Sequence, residues 1–241
     1  MTDWFEKNIL AIETSTRTLK LALRFGGDRL VKSEEEVERS HGRVIIKKIN
    51  ELFGSADLEK RSLGAIVVST GPGSFTGLRI GLAVAKGMAV GLEVPVVSVN
   101  LFELVAHRFR DRSGKISVIA PFKSDAFFLC SIEKGRFDLG QVEVVTEDNA
   151  AAKTAGRQLV GIGFDSVETT PAPDGLQDME FIAFDAADMV NLGLEKLRAS
   201  QIADLPSLEP LYLQKSQAEI KFEQRQRNRA TGGDHSSGHR R

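Results

Sequence analysis

The chain has almost no cysteine and almost no net charge, and each shortage excludes a class of protein. One cysteine, Cys130, stands among 241 residues, so no internal disulfide can form. It lies in a strand-like run, Phe127 to Ile132, and reads as a buried reduced thiol rather than a nucleophile. With 32 Lys and Arg against 33 Asp and Glu, the formal charge of −1 supplies no general attraction to nucleic acid or anionic membrane. Long apolar runs are missing as well. Gly, Lys or Glu interrupts each one, so no window is expected to span a membrane. Met1 to Asn8 mixes Asp3, Glu6 and Lys7 with Trp4 and Phe5, which is no secretory signal, and a cytoplasmic protein is expected. No Ser/His/Asp or Cys/His set can be assembled from the residues present. What remains is 41% apolar and 27% charged, an ordinary globular chain long enough for one large domain or two small ones.

The most informative stretch is Gly71-Pro72-Gly73-Ser74-Phe75-Thr76-Gly77-Leu78-Arg79-Ile80-Gly81. It follows a buried-strand pattern, Ala65 to Ser69, and opens into a helix, an order that resembles a phosphate cradle. The details point elsewhere. A phosphate-binding loop of the Walker type ends in Gly-Lys-Ser/Thr, where this chain has Thr76-Gly77-Leu78-Arg79, and the glycine spacing misses the dinucleotide fingerprint. A tight turn that lets a helix pack unusually close fits better. That helix is expected from Phe75 or Thr76 to Val90, with Gly91 as its stop. Gly77, Gly81, Val84 and Met88 form one stripe, and Leu78, Leu82, Ala85 and Ala89 the stripe beside it. Only Arg79 and Lys86 are charged, so burial on nearly every side is expected. Interior glycines cost helix stability by about 1 kcal/mol each. Their retention implies that another helix approaches the small-residue stripe, within this chain or from a partner subunit.

Before this loop the pattern reads strand at Ile9 to Glu13, then strands Lys20 to Phe25 and Arg29 to Ser33 around Gly26-Gly27-Asp28. His41 to Phe53 carries Val44, Ile45, Ile49, Leu52 and Phe53 at helical spacing, with Ser40 as N-cap and Gly54 as stop. Val94 to Ser98 is another buried strand, and Asn100 with Glu103 makes a capping-box start for a helix carrying Leu101, Leu104, Val105 and Phe109. The second half weakly repeats this order. Ile116 to Ala120, Phe127 to Ile132, Leu139 to Val145 and Gln158 to Ile162 read as strands, Ala150 to Ala155 and Ala186 to Arg198 as helices, and Thr169 to Asp178 as a loop. A duplicated mixed α/β architecture follows, with lobes at 1–104 and 105–215 and a tail at 216–241. Gln224 to Arg241 has little to bury and reads as a disordered basic tail.

Ile9-Leu10-Ala11-Ile12-Glu13-Thr14-Ser15-Thr16, followed by GPGSFTGLRIG at this separation, resembles the TsaB (YeaZ) family, and Leu211-Tyr212-Leu213 resembles that family's closing element. The likeness spans roughly residues 8 to 215. It implies a two-lobed α/β fold of the actin, sugar-kinase and heat-shock ATPase class, and a role in making threonylcarbamoyladenosine in tRNA. In that system a paralogue, TsaD, carries the metal and performs the transfer, TsaE is an ATPase that joins, and the TsaB protein is a non-catalytic scaffold. The paralogues pair through first-lobe helices, which here match His41 to Phe53 and Phe75 to Val90. The resemblance therefore implies a partner interface carried by His41, Val44, Ile45, Lys48, Gly77, Arg79, Gly81, Val84 and Met88, with a homodimer as the alternative assembly. Contact with tRNA would come through the complex, and no membrane is involved.

The departures are as informative. The family's first strand commonly ends Asp-Thr-Ser, with a carboxylate that nucleotide-binding relatives use near the phosphates, where this chain has Glu13, and its second lobe usually begins with an Asp-Ala-Arg-type segment where this one reads Ala120-Pro121-Phe122-Lys123-Ser124-Asp125. The catalytic paralogue holds its metal with two histidines at i and i+4, but His41 is followed at that spacing by Ile45. No cofactor, metal or catalytic residue is therefore assigned. His41 reads as a surface or capping residue, His107 as an exposed one, and His235 and His239 as tail residues; Asp125 and Asp165 read as solvated loop carboxylates. Gly161-Ile162-Gly163 resembles an adenosine-side turn of the fold class. The competing reading is an ATP-dependent small-molecule kinase of the same fold.

Overall fold

The computed structural model describes residues 3–37, 41–123, 126–164, 176 and 178–213. Ile9 to Ile12 form an unbroken apolar run, the pattern of a strand covered on both faces. That strand, β1 (Asn8–Glu13), is the middle of a five-stranded sheet. β2 (Thr18–Phe25) and β3 (Arg29–Glu36) follow as an antiparallel meander, turned by Gly26 and Gly27 at φ of 52° and 85°. β4 (Leu63–Gly71) pairs parallel with β1, and β5 (Val96–Asn100) parallel with β4. The order is β3-β2-β1-β4-β5.

The second sheet repeats this plan. β6 (Lys115–Lys123), β7 (Ala126–Glu133) and β8 (Glu143–Thr146) form the meander, and β9 (Gln158–Ile162) and β10 (Glu180–Ile182) add in parallel beside β6. Its order, β10-β9-β6-β7-β8, is the first sheet's order read from the other edge. The duplication expected from sequence is thus present strand for strand.

On one face of the first sheet, Leu10, Ile12, Leu21, Leu23, Ile66 and Val68 join one core with Ile45, Ile49, Leu52 and Phe53 of α1 (Ile45–Ser55) and Leu82, Ala85 and Ala89 of α2 (Phe75–Leu92). α3 (Leu101–Arg108) follows β5, and α4 (Glu147–Thr154) follows β8. α5 (Ala186–Arg198) follows β10 yet packs on the opposite face of the first sheet, so tightly that a Cβ at Gly193 would lie 2.4 Å from Val67 Cγ2. Lys196 Nζ donates to Ser98 O at 2.7 Å and to Glu103 at 2.9 Å, tying α5 to β5 and α3. Beyond α5, Ala203 N donates to Val96 O and Leu211 N to Thr70 O, each at 2.8 Å. A division at 104/105 follows chain order but not packing, because residues 186–211 return to the first lobe. Residues 1–211 form one compact unit, and of the second, 212–241, only Tyr212 and Leu213 are described. The expected basic tail and most of the 169–178 loop lie outside the described residues.

Several element ends differ from expectation. His41–Arg43 is a single 3-10 turn, and α1 begins only after Val44, which caps it without a side-chain bond; Ser40 lies outside the described residues. Gly54 and Gly91 stop nothing. α1 runs on to Ser55, and α2 ends at Glu93, whose φ of 57° and N–H to Ala89 O make a left-handed cap. Leu139–Gln141 is a 3-10 turn ahead of β8 rather than strand. β10 is three residues long, too short to leave a period in the sequence.

α2 is also not buried all round. One side is covered, while Thr76, Ala83, Gly87, Val90 and Gly91 are exposed. At 18 residues and mean hydropathy 1.3 it is long and apolar enough to cross a membrane by length and composition, which the interrupted runs did not suggest. Its Leu78, Leu82, Ala85 and Ala89 side is nevertheless buried, as in a core helix.

The capping box at α3 is present as expected. Glu103 N donates to Asn100 Oδ1 and Asn100 N to Glu103 Oε2, both at 2.9 Å. Asn100→Ala is expected to lower stability by about 1 kcal/mol, a fall in Tm of about 2–4 °C for a chain of this size. A thermal melt reads this directly, and an unchanged Tm would show that the cap contributes nothing.

Candidate functional site

The glycine loop is held against the turn that follows β1. Ser74 N donates to Ser15 O at 2.6 Å, and Ser74 Oγ caps α2 by accepting from Gly77 N at 3.2 Å. A Cβ at Gly73 would lie 2.2 Å from Ser15 O, one at Gly77 2.1 Å from Thr14 O, and one at Gly81 2.3 Å from Thr14 Oγ1. These positions require glycine because α2 and its leading loop meet the backbone of the turn at Gly73 and Gly77 and the Thr14 side chain at Gly81. The N–H groups of Ser74 and Gly77, which a phosphate cradle would aim at an anion, are satisfied by this chain's own oxygens.

Glu13 ends β1 and is buried, with Oε1 accepting from Ser15 N and Oε2 without a hydrogen-bond partner. Burial raises its pKa, outweighing the opposing pull of Ser15, Ser69 and Lys20. Lys20 faces it across β2, also buried, and its Nζ donates to Phe184 O at 3.0 Å, where the chain leaves β10 for α5. Glu13, Ser15, Thr16, Lys20, Gly163 and Phe184 line a cavity between the lobes of about 10 Å³, the room of a single water. Small-molecule sites enclose several hundred Å³ or more. The second lobe contributes Gly163 and Ile182 to this lining. Phe122 rests on Phe128 with ring centroids 4.6 Å apart. At the adenosine-like turn, a Cβ on Gly161 would meet Met179 and Phe181, each at 3.0 Å. Ser124, Asp125 and Asp165 lie outside the described residues, as do His235 and His239.

The histidine expected at the surface is buried. His41 hydrogen-bonds the backbone of Thr16, its Nε2 has no partner, and burial lowers its pKa. It sits there because the 3-10 turn ahead of α1 folds under the β1–β2 turn. Ile45 is fully buried in the core, so the position one helical turn on faces away from any metal site. His107 is half-buried rather than exposed, with Nε2 3.0 Å from Glu195 and 3.1 Å from Arg110.

Of the residues assigned to a partner surface, His41, Ile45, Gly77 and Gly81 are buried within this chain. Gly77 and Gly81 face Thr14, so the close helix contact inferred from their stripe is internal. Val44, Val84 and Met88 are half-buried against the first-lobe core, and Lys48 is held by Glu35 at 2.5 Å and Glu51 at 3.2 Å. Arg79 is exposed, its guanidinium 4.0 Å from the centroid of Phe75. The open small-residue face of α2 is instead Ala83, Gly87, Val90 and Gly91. A Cβ at Gly87 or Gly91 would meet nothing within 4 Å, Val90 is 69% exposed, and Ile46 of α1 is 52% exposed. Sequence reasoning missed this face although the signal existed, since it lies opposite the Leu78, Leu82, Ala85 and Ala89 stripe.

A family profile described as "TsaD: tRNA N6-adenosine threonylcarbamoyltransferase" matches residues 32–121, the part that holds α1 and α2. The chain is similar to the tRNA threonylcarbamoyladenosine biosynthesis protein TsaB of Bacillus subtilis, at 29% identity over 89% of this chain and 97% of that one. It is similar to the TsaB protein of Haemophilus influenzae at 27% identity, over 85% and 92%. Among solved structures, YeaZ from Pseudomonas aeruginosa superposes with a TM-score of 0.66 at 24% identity, over 86% of this chain and 99% of that one. Two five-stranded sheets of matching strand order make the duplicated two-lobed α/β fold that was expected, and YeaZ shares it.

Two predictions follow from the geometry. Gly77→Ala places a methyl on the Thr14 carbonyl and is expected to destabilise by about 1–3 kcal/mol despite its higher helix propensity; an unchanged or raised Tm would contradict the contact. Burial raises the Glu13 pKa in the fold above its value in the unfolded chain, so the stability this difference contributes is lost as pH rises through the raised pKa. Glu13→Gln removes that loss. Its Tm advantage over the native chain should grow as pH rises above the ordinary carboxylate range, and a difference independent of pH would contradict the raised pKa of Glu13.

Proposed function

We propose that this chain, which belongs to the TsaB (YeaZ) family, serves threonylcarbamoyladenosine biosynthesis in tRNA as a non-catalytic scaffold. Its partner in this reading is a TsaD-type transferase, with a TsaE-type ATPase joining the pair and tRNA reached through the complex. A homodimer through the same face is the assembly for a chain without its partner. Cytoplasmic work fits this assignment.

The observation that carries the proposal is a contrast between two surfaces. Among the described residues, the pocket at the lobe junction lined by Glu13, Lys20 and Phe184 has room for about one water, and Lys20 and Phe184 of the chain itself meet there. The α2 face bearing Ala83, Gly87, Val90 and Gly91 is open, small and apolar, which suits the close approach of another helix. The match of residues 32–121 to the transferase family supports pairing between paralogues, since related first lobes can meet through equivalent helices. The kinase alternative would need the filled junction to open and a base that the described residues around it do not supply.

Gly87→Leu tests the assignment. Among the described residues nothing lies where the new side chain begins, so the melting temperature should hold or rise slightly. Association with a TsaD-type subunit, followed by analytical ultracentrifugation, should weaken at least tenfold, as should threonylcarbamoyladenosine formation in the reconstituted system. Unchanged association with normal stability would show that this face is not the interface.

A further inference from the structure

Glu13 is 4% exposed and Ser15 3%. Glu13 Oε1 accepts from Ser15 N, but Glu13 Oε2 and Ser15 Oγ have no hydrogen-bond partner among the described residues. The hydroxyls of Ser15 and Ser69 lie near enough to favour the Glu13 charge, yet neither bonds to Oε2. Ser69 Oγ is engaged elsewhere, accepting from Gly71 N at 3.3 Å. Leaving a carboxyl oxygen and a hydroxyl unsatisfied inside a protein is costly, and such pairs ordinarily share a partner. Both residues line the cavity of about 10 Å³ at the lobe junction, whose apolar wall is Leu101, Ile182 and Phe184. The other polar residues of its lining are already engaged. Thr16 Oγ1 accepts from Thr18 N at 3.2 Å and donates to Thr18 O at 3.3 Å, and Lys20 Nζ donates to Phe184 O at 3.0 Å.

We propose that this cavity is a binding site for one ordered water, which bridges Glu13 Oε2 to Ser15 Oγ. The size and the chemistry agree. A buried water needs about 10–15 Å³ of such space and at least about two polar partners. The bridge holds in either state of the carboxyl: a carboxylate oxygen accepts from the water, a carboxyl hydroxyl donates to it, and the Ser15 hydroxyl takes the complementary role. Ions suit the site less well. The Lys20 ammonium opposes a cation and the Glu13 carboxyl an anion, and a space of one water leaves no room for a hydration shell. The water joins the end of β1 to the turn on which α2 packs, so it is a structural part of the junction. This site stands whether or not the chain acts as a scaffold.

The test pairs a crystal structure of the full chain with magnetic relaxation dispersion of oxygen-17 water, which counts internal waters that exchange slowly with solvent. In the crystal, a density peak should lie about 2.5–3.0 Å from both Glu13 Oε2 and Ser15 Oγ. In solution the native chain should hold about one slow water more than Ser15→Ala or Glu13→Met, each of which removes one end of the bridge. Glu13→Gln keeps a polar group at the same reach and should retain the native count. Ser15→Ala deletes a single hydroxyl and keeps the N–H that binds Glu13, so it decides the matter if Glu13→Met does not fold. Equal counts in the native chain and Ser15→Ala, or no density between the two oxygens, overturn the proposal. So does loss of the water from Glu13→Gln.

Discussion

The contact between the Thr14-Ser15 turn and the glycine edge of α2 sets the rest of this structure. Helix and turn approach so closely that Gly73, Gly77 and Gly81 leave no room for a Cβ. This contact fixes the rotation of α2 about its axis. Once Gly77 and Gly81 face the turn, Leu78, Leu82 and Ala85 must face the sheet, and Ala83, Gly87 and Val90 must face out. The same contact satisfies the N–H groups of Ser74 and Gly77 that open the helix. A loop that resembles a phosphate cradle in composition is therefore a structural clamp in this chain.

The lobe junction shows the same economy of charge. Burial drives Glu13 towards its protonated form and His41 towards its unprotonated form, so both polar groups nearest the turn favour neutrality. Lys20 reaches across to Phe184, and Lys32 pairs with Asp185 at 2.7 Å, so the β2–β3 hairpin holds the start of α5 from two points. Asp185 is itself the N-cap of α5. The junction is thus bridged by main-chain and side-chain bonds of one chain.

Much of this was legible in the sequence, and what was not has identifiable physical causes. Ile9 to Ile12 announced a doubly covered strand, the Asn100 and Glu103 pair announced a helix start, and the repeated strand order announced the duplication. The rotation of α2 was not legible, because Gly77 and Gly81 on one side and Gly87 and Gly91 on the other are equally small. Periodicity gives a helix its stripes but does not say which stripe meets the sheet when both lack bulk. The return of α5 to the first sheet was hidden for a related reason, since an amphipathic helix announces a buried face and not the surface it covers. Arg24 gave no signal either: an arginine near the end of a strand ordinarily points to solvent, yet here it is buried with Phe5 over its guanidinium.

The rotation of α2 depends most directly on the coupling between Thr14 and Gly81, where the hydroxyl of one excludes a methyl on the other. A double-mutant cycle of Thr14→Ala and Gly81→Ala, measured by chemical denaturation of the full chain, isolates that contact. Removing Thr14 Oγ1 clears the space that a Cβ at Gly81 would otherwise enter. The double variant is predicted to be more stable than the sum of the single changes by about 1 kcal/mol or more. Additivity to within about 0.5 kcal/mol would contradict the contact, and with it the rotation of α2 that leaves Ala83, Gly87 and Val90 facing outward.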